Sequence, residues 1–363
     1  VTPAPYAPIV AALPATRPFV APEELARRAG FTELLRLGAN ESSFGPPPRA
    51  CEAMARELVR TSWYGDPESA DLRAALAVRH GCAIENIVVG SGIDDLLGLV
   101  VHAYLDPSRA SVSTLGTYPT YAYHVLGAGA RHETVPYRND GRIDFDGLVA
   151  RAHACAATIV YIANPDNPSG TFASREEIAR VVAALPEQTI LVLDEAYADF
   201  VDASERLDDT IDPRIVRMRT FSKAYGLAGA RIGYALASAE TIATFGKIRI
   251  QYGVNRSAQI GALAALAEDA FVAEIVAEVA RGRSDYERLA SAHGLATIPS
   301  RANFVCIDLG SHERADAMVE RLLQRGVFIR KPVAPPLDGH IRVTVGTADE
   351  RERFAHAFTE ALR

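Results

Sequence analysis

A chain of 363 residues is long enough for a large α/β domain with a smaller one beside it. Its formal net charge of −7 gives no basic footprint for nucleic acid, and no apolar run approaches a membrane span. Cys51, Cys82, Cys155 and Cys306 are widely spaced and the histidines are scattered, which argues for free buried thiols in a reducing compartment and against a metal site. The opening Val1-Thr2-Pro3-Ala4-Pro5 has neither the basic nor the apolar part of a signal peptide; a loose arm and a cytoplasmic location are expected, and the absent initiator Met suggests trimming or a partial record.

In chain order, an arm and first helix occupy about 1–36 and lead to a loop at Asn40; residues 1–49 are read as this arm and a substrate-side segment. Strands are expected at 86–90, 110–114, 131–136, 158–163, 189–194, 215–220 and 231–236, with helices between them. This alternation predicts an α/β fold over 50–257, a mostly parallel sheet flanked by helices. An Ala-, Glu- and Val-rich stretch from Ala258 to His293 reads as one or two amphipathic helices. It opens a C-terminal unit, 258–363, which closes as a small α+β domain with strands near 302–308, 326–330 and 340–346.

The chemistry sits at the ends of these strands. Val88-Val89-Gly90-Ser91-Gly92-Ile93-Asp94-Asp95 is a strand, a Gly turn and a helix start, by itself only a tight turn. Thr158–Ala163 runs into Asn164-Pro165-Asp166-Asn167-Pro168-Ser169-Gly170, an irregular loop whose Asn167 offers an amide to a ring oxygen. Ser174-Arg175-Glu176-Glu177 then reads as a capping box. Thr189–Leu193 is a β-branched run of the kind buried on both faces, and it delivers Asp194 to the strand end where open α/β sheets bind ligands. Asp194 reads either as a helix cap or as the acid that keeps a pyridine nitrogen protonated, and Tyr197 as a donor to the ring's phenolic oxygen. In Arg219-Thr220-Phe221-Ser222-Lys223-Ala224-Tyr225-Gly226-Leu227-Ala228-Gly229-Ala230-Arg231-Ile232-Gly233, a lysine follows a hydroxyl residue with an arginine eight positions on. Lysine forms Schiff bases with aldehydes, and pyridoxal 5′-phosphate (PLP) is an aldehyde that carries a phosphate. Taken alone, Lys223 would be an ordinary surface lysine. Asp208-Asp209 reads as a solvated turn.

Together, Asn-Pro-x-Asn-Pro-Ser-Gly, Asp-Glu-Ala-Tyr and Ser-Lys-Ala-Tyr-Gly-Leu-Ala-Gly-x-Arg-Ile-Gly resemble the fold-type-I PLP aminotransferases, most closely the histidinol-phosphate and aromatic branch. The likeness runs from Leu37-Gly38-Ala39-Asn40-Glu41 to Ile341-Arg342-Val343-Thr344-Val345-Gly346-Thr347. The resemblance implies that Lys223 carries the cofactor and shuttles the proton, while Ser222, Arg231 and the backbone at Gly92, Ile93 and Asp94 hold its phosphate. It implies that Tyr118 stacks on the ring and that Arg342 and Arg330 bind the substrate's anionic group beside Asn40. Tyr64 would reach the phosphate of a partner subunit, making a homodimer with shared active sites. Core or rim packing for Tyr118 and an edge charge for Arg342 are the ordinary alternatives.

The implied reaction is transamination between a small-molecule amino donor and a 2-oxo acid, of the histidinol-phosphate/2-oxoglutarate type. The donor stays open, because Phe19 stands where that branch places a phosphate-binding tyrosine. Lys331-Pro332-Val333-Ala334-Pro335-Pro336-Leu337-Asp338 is also a long Pro-rich insertion between the two arginines. An aromatic or other amino-acid aminotransferase is one alternative, and a PLP-dependent decarboxylase of an amino-acid phosphate another. A regulatory PLP-binding module would need a DNA-binding extension, and a purely structural protein leaves Asn167, Asp194, Tyr197, Lys223 and Arg231 unexplained.

Overall fold

The computed structural model describes residues 4–14 and 20–363, so Phe19 lies outside the described residues. Near the N-terminus, helix Pro22–Ala29 precedes strand β1 (Leu35–Arg36). Seven strands then build the main sheet: β2 (Ile87–Gly90), β3 (Ala110–Thr114), β4 (Arg131–Val135), β5 (Ile159–Ala163), β6 (Ile190–Asp194), β7 (Ile215–Thr220) and β8 (Gly233–Leu236). Their order is β2-β8-β7-β6-β5-β3-β4, with β8 antiparallel to both neighbours and the pairs among β3–β7 parallel.

The period-2 pleat explains why β5 and β6 are apolar at nearly every position. Ile159, Tyr161, Ile190 and Val192 face one core, with Leu97, Val100 and Tyr121 from the covering helices. Val160, Ile162, Leu191 and Leu193 face the other, against Leu148 and Ile178. Each such side chain contributes about 1.5–3 kcal/mol on leaving water. The sequence therefore cannot afford polar residues until the strand ends, and Asp194 is the first. The Ser174 capping box forms as expected: the Glu177 N–H donates to Ser174 Oγ at 3.3 Å, and the Ser174 N–H to Glu177 Oε2 at 2.8 Å.

The stretch read as one or two helices is two, Arg256–Ala265 and Asp269–Ala292. Beyond them β9 (Thr297–Ile298), β10 (Phe304–Asp308), β11 (Val327–Phe328) and β12 (His340–Thr344) follow, with helices His312–Leu323 and Ala348–Leu362. β9, β10 and β12 form an antiparallel sheet, whereas β11 leaves it and pairs in parallel with β1. The strand expected over 326–330 is thus cut to β11, and Arg330 meets Arg342 through a single bridge.

Three other expectations change. The strand expected from 231 begins at Gly233, because Arg231 takes a left-handed φ of 58°. Cys51 is exposed on helix Pro48–Glu57 while Cys306 is buried; all four thiols are free. Asp209 is no solvated turn: it accepts from His80 Nδ1 at 2.9 Å and pairs with Arg217 at 3.0 Å, beside Arg219. Among the described residues no helix is long and apolar enough to cross a membrane, and no group of three or more His, Cys, Asp or Glu could hold a metal ion.

Candidate active site

β2, β3, β5, β6 and β7 all run toward one edge of the sheet, and β8, being antiparallel, starts there. That edge carries a cavity of about 310 Å³ lined by Ile93, Asp94, Tyr118, Asn167, Asp194, Tyr197, Ser222, Lys223 and Arg231, with Glu41 from the N-terminal segment. Most of the predicted cofactor residues, separated by more than a hundred positions in sequence, therefore meet because strand ends meet. A neighbouring cavity of about 530 Å³ shares Tyr118, Asn167, Tyr197 and Lys223 and adds Asn40, Arg330, Lys331 and Arg342.

One end of the first cavity suits an anion. Helix Ile93–Tyr104 starts here, and its first-turn N–H groups have no intrahelical acceptors. Gly92 has φ +89°, and a Cβ added there would lie 2.7 Å from Arg231 Nη2, so the turn has to be glycine for Arg231 to lie across it. Arg231 Nη1 donates to the Ala228 carbonyl at 3.0 Å, and Nη2 lies 3.6 Å from Asp94 Oδ2. The Asp94 carboxylate also accepts from the Tyr118 hydroxyl at 2.7 Å, so its side chain orients neighbours and its backbone faces the anion end. Thr220 Oγ1 donates to Ser222 Oγ at 2.9 Å, leaving the Ser222 hydrogen for the cavity.

The same cavity holds an amine. Burial, then the Arg342 and Arg231 cations, pull the Lys223 amine down to about 8 against the opposing pull of Glu41 and Asp194. Its Nζ lies 5.7 Å from the centre of the Tyr197 ring. The cavity also holds an acid. Asp194 is 4% exposed, accepts the Ala196 N–H at 3.0 Å and the Tyr161 hydroxyl at 2.7 Å, and is pushed up to about 6 by burial. It caps no α-helix; the segment after it is a short 3-10 turn, Ala198–Phe200.

Asn167 and Arg342 act as a pair. Arg342 Nη1 donates to Asn167 Oδ1, which turns the amide's N–H₂ end away from the arginine, and Nη2 donates to the Gly38 carbonyl at 3.2 Å. Arg342 is therefore no edge charge facing solvent. Its guanidinium lies 5.2 Å from the Phe304 ring centre, and Nε is buried without a hydrogen-bond partner. Arg330 lies over Phe328 at 5.6 Å and lines the same cavity. The Asn40 amide is engaged at both ends, donating to Tyr197 Oη at 2.9 Å and accepting from Thr344 Oγ1 at 3.0 Å, so it fixes Tyr197 from the cavity wall. Burial pushes the Tyr197 phenol up to about 12, which keeps it a hydrogen-bond donor. Tyr64, expected at a partner subunit's phosphate, does not line this chain's cavity: it is 77% exposed and lies against Tyr252, centroids 4.5 Å apart and rings tilted by 30°. Sequence reading missed Tyr161, Glu41 and Lys331. Only Glu41 carried a signal, its place directly after Asn40.

The arrangement gathers an anion cradle, a low-pKa amine and a buried carboxylate in one cavity, with Arg342 and Arg330 in the neighbouring one. The family model for aminotransferase class I and II matches residues 32–358. The chain belongs to the class I and II aminotransferases. This aminotransferase is 36% identical to histidinol-phosphate aminotransferase 2 of Pasteurella multocida (strain Pm70), over 94% of this chain and 93% of the relative. The crystal structure of histidinol-phosphate aminotransferase from Sinorhizobium meliloti in complex with pyridoxal-5′-phosphate superposes with a TM-score of 0.95 at 42% identity, covering 99% of this chain and 97% of that one. A single mutant of the Thermus thermophilus aspartate aminotransferase reaches a TM-score of 0.79 at 26% identity, over 98% and 100% of the two chains.

Proposed function

We propose that this aminotransferase is PLP-dependent and moves an amino group from histidinol phosphate to a 2-oxo acid, 2-oxoglutarate by preference. The observation that carries the proposal is the single cavity holding Lys223, Asp194 and the Gly92–Arg231 cradle, with Arg342 and Arg330 beside it. These residues fit PLP: the cradle matches its phosphate, the Lys223 amine its aldehyde, Asp194 its ring nitrogen, and Asn167 with Tyr197 its ring oxygen. Bound PLP supplies an aldehyde and an electron-withdrawing ring.

The chain's own residues supply the rest. Lys223 Nζ, with a pKa of about 8, carries an appreciable neutral fraction near pH 7, so it can take a proton from the donor's α-carbon and return it. Asp194 is largely ionised at that pH and holds the ring-nitrogen proton in place. Arg342 and Arg330 present their guanidinium groups to the donor's phosphate or the acceptor's carboxylate.

The same reading takes residues 50–257 as the cofactor-binding domain and 258–363 as the interdomain helix and smaller domain. It also makes the functional unit a cytoplasmic homodimer. Exposed Tyr64, with Trp63, Leu58 and Val59 exposed nearby, supports a partner surface there.

The test is an absorption spectrum of the PLP-loaded protein before and after histidinol phosphate, phenylalanine and glutamate. Conversion to the pyridoxamine form, fastest with histidinol phosphate, is the expected result. A faster response to phenylalanine moves the substrate to the aromatic class. Release of carbon dioxide without a keto product makes the protein a decarboxylase, and a colourless protein after PLP addition removes the reading.

A further inference from the structure

Tyr161 stands behind the acid and outside the cavity lining, on β5 beside β6. It is 1% exposed, and its ring stacks on Tyr121 with centroids 4.4 Å apart and 13° between planes. Tyr121 is itself anchored through its hydroxyl to Ser111. The stack leaves the Tyr161 ring little freedom, and its hydroxyl meets Asp194 Oδ2 at 2.7 Å. Burial and the neighbouring Asp194 carboxylate hold this phenol well above its ordinary range, so it remains a donor wherever the enzyme works.

We propose that Tyr161 is a positioning residue that sets the proton affinity of Asp194, so that the shared proton stays on the cofactor's ring nitrogen and not on the carboxylate. The inference rests on the cofactor reading above. A hydrogen bond donated to a carboxylate favours its charged form, whereas burial opposes it. The other groups facing Asp194 divide: Asp94, beyond β2, disfavours its charge, while Lys223, beyond β7, and the Ala196 N–H favour it. Tyr118, beyond β3, gives its hydroxyl to Asp94, and Tyr197 accepts from Asn40. The Tyr161 hydroxyl is therefore the side-chain donor that keeps a buried acid from holding its own proton.

The test uses pyridoxine 5′-phosphate, whose alcohol cannot condense with Lys223, and measures its affinity for the apoprotein from pH 4.5 to 8. Wild-type affinity should fall on the acid side as Asp194 takes a proton. Tyr161→Phe keeps the stack and removes the donor. It should move that acid limb upward by about one to two pH units, the size of one hydrogen bond to a charged group. Tyr161→3-fluorotyrosine, a stronger donor of nearly the same shape, should move the limb downward. Tyr121→Phe keeps both rings and should leave it in place.

A merely structural Tyr161 would lower affinity equally at every pH; an unmoved limb in Tyr161→Phe overturns the inference. An equal shift in Tyr121→Phe overturns it too, by assigning the effect to the stack. Wild-type protein that binds no pyridoxine 5′-phosphate at any pH refutes the cofactor reading, and the inference with it.

Discussion

Arg342→Met is the perturbation with the most structure behind it. Methionine keeps an unbranched apolar stem over Phe304 and removes the charge, the donor to Asn167 and the buried Nε that has no partner. Two charge-assisted hydrogen bonds to a substrate anion are worth about 3–6 kcal/mol together, which is about 10²–10⁴-fold in kcat/KM. A second effect follows from the position of the fork. After burial, Arg342 is the largest influence lowering the Lys223 amine, so that amine should rise above its value of about 8 when the arginine is gone. The two effects are separable. Steady-state kcat/KM with histidinol phosphate reads the first, and the pH dependence of Lys223 acetylation by acetic anhydride in the apoprotein reads the second. A loss below tenfold with no movement of the amine would show that neither the anion nor Lys223 feels Arg342, and the site as drawn would be wrong.

Asp194→Asn should lower kcat far more than PLP affinity, yet stabilise the apoprotein at pH 7. The folded carboxyl sits at about 6 against an ordinary 3.8, so the native state loses stability as pH rises between those values and carries the full penalty above them. Melting temperatures at pH 5 and pH 7 check this, and a wild-type decline persisting in the variant contradicts it. Asp209→Asn has the opposite sign. His80, Arg219 and Arg217 hold this carboxyl below its usual range, so its stabilisation is present above about pH 4 and is lost as pH falls further. The variant should be less stable at neutral pH and show a shallower acid limb in denaturant midpoints; unchanged midpoints at pH 7 would dismiss the cluster. Gly226→Ala places a Cβ 2.3 Å from the Gly45 carbonyl oxygen at φ +66°. A cost above about 2 kcal/mol is expected in urea unfolding, and one under about 0.5 kcal/mol would mean the loop yields freely.

How far the sequence was legible depended on the range of the interaction. Thr158–Ala163 and Thr189–Leu193 announced β5 and β6 because strands covered on both faces admit few polar residues; Asp194 was singled out by its position at a strand end and Lys223 by its motif, and both line the cavity. Arg342 and Asn167 were each recognised, but not their hydrogen bond, which spans 175 positions. Asp209 was misread for the same reason: beside Asp208 it looks like a turn, and only the folded chain brings His80, 129 residues away, to its carboxylate. Tyr161 looked like one more core residue, since its hydroxyl's target lies on the adjacent strand. Cys51 was expected inside because thiols usually are, while the helix Pro48–Glu57 turns that position outward.

The Asn40–Thr344 bond joins residues 304 positions apart, and it has a bearing on how the protein is made. A ribosome delivers the seven strands of the main sheet, with Lys223 and the anion cradle, well before it delivers Arg342 and Thr344. For that interval the emerging polypeptide carries the Lys223 amine without the guanidinium that lowers its proton affinity and frees its lone pair, and a Tyr197 whose amide clamp has not been locked from its far side. Synthesis thus passes through a stage that has the amine and the anion cradle but neither the cation that activates the one nor the means of choosing a substrate, and both arrive with the last strand to be translated.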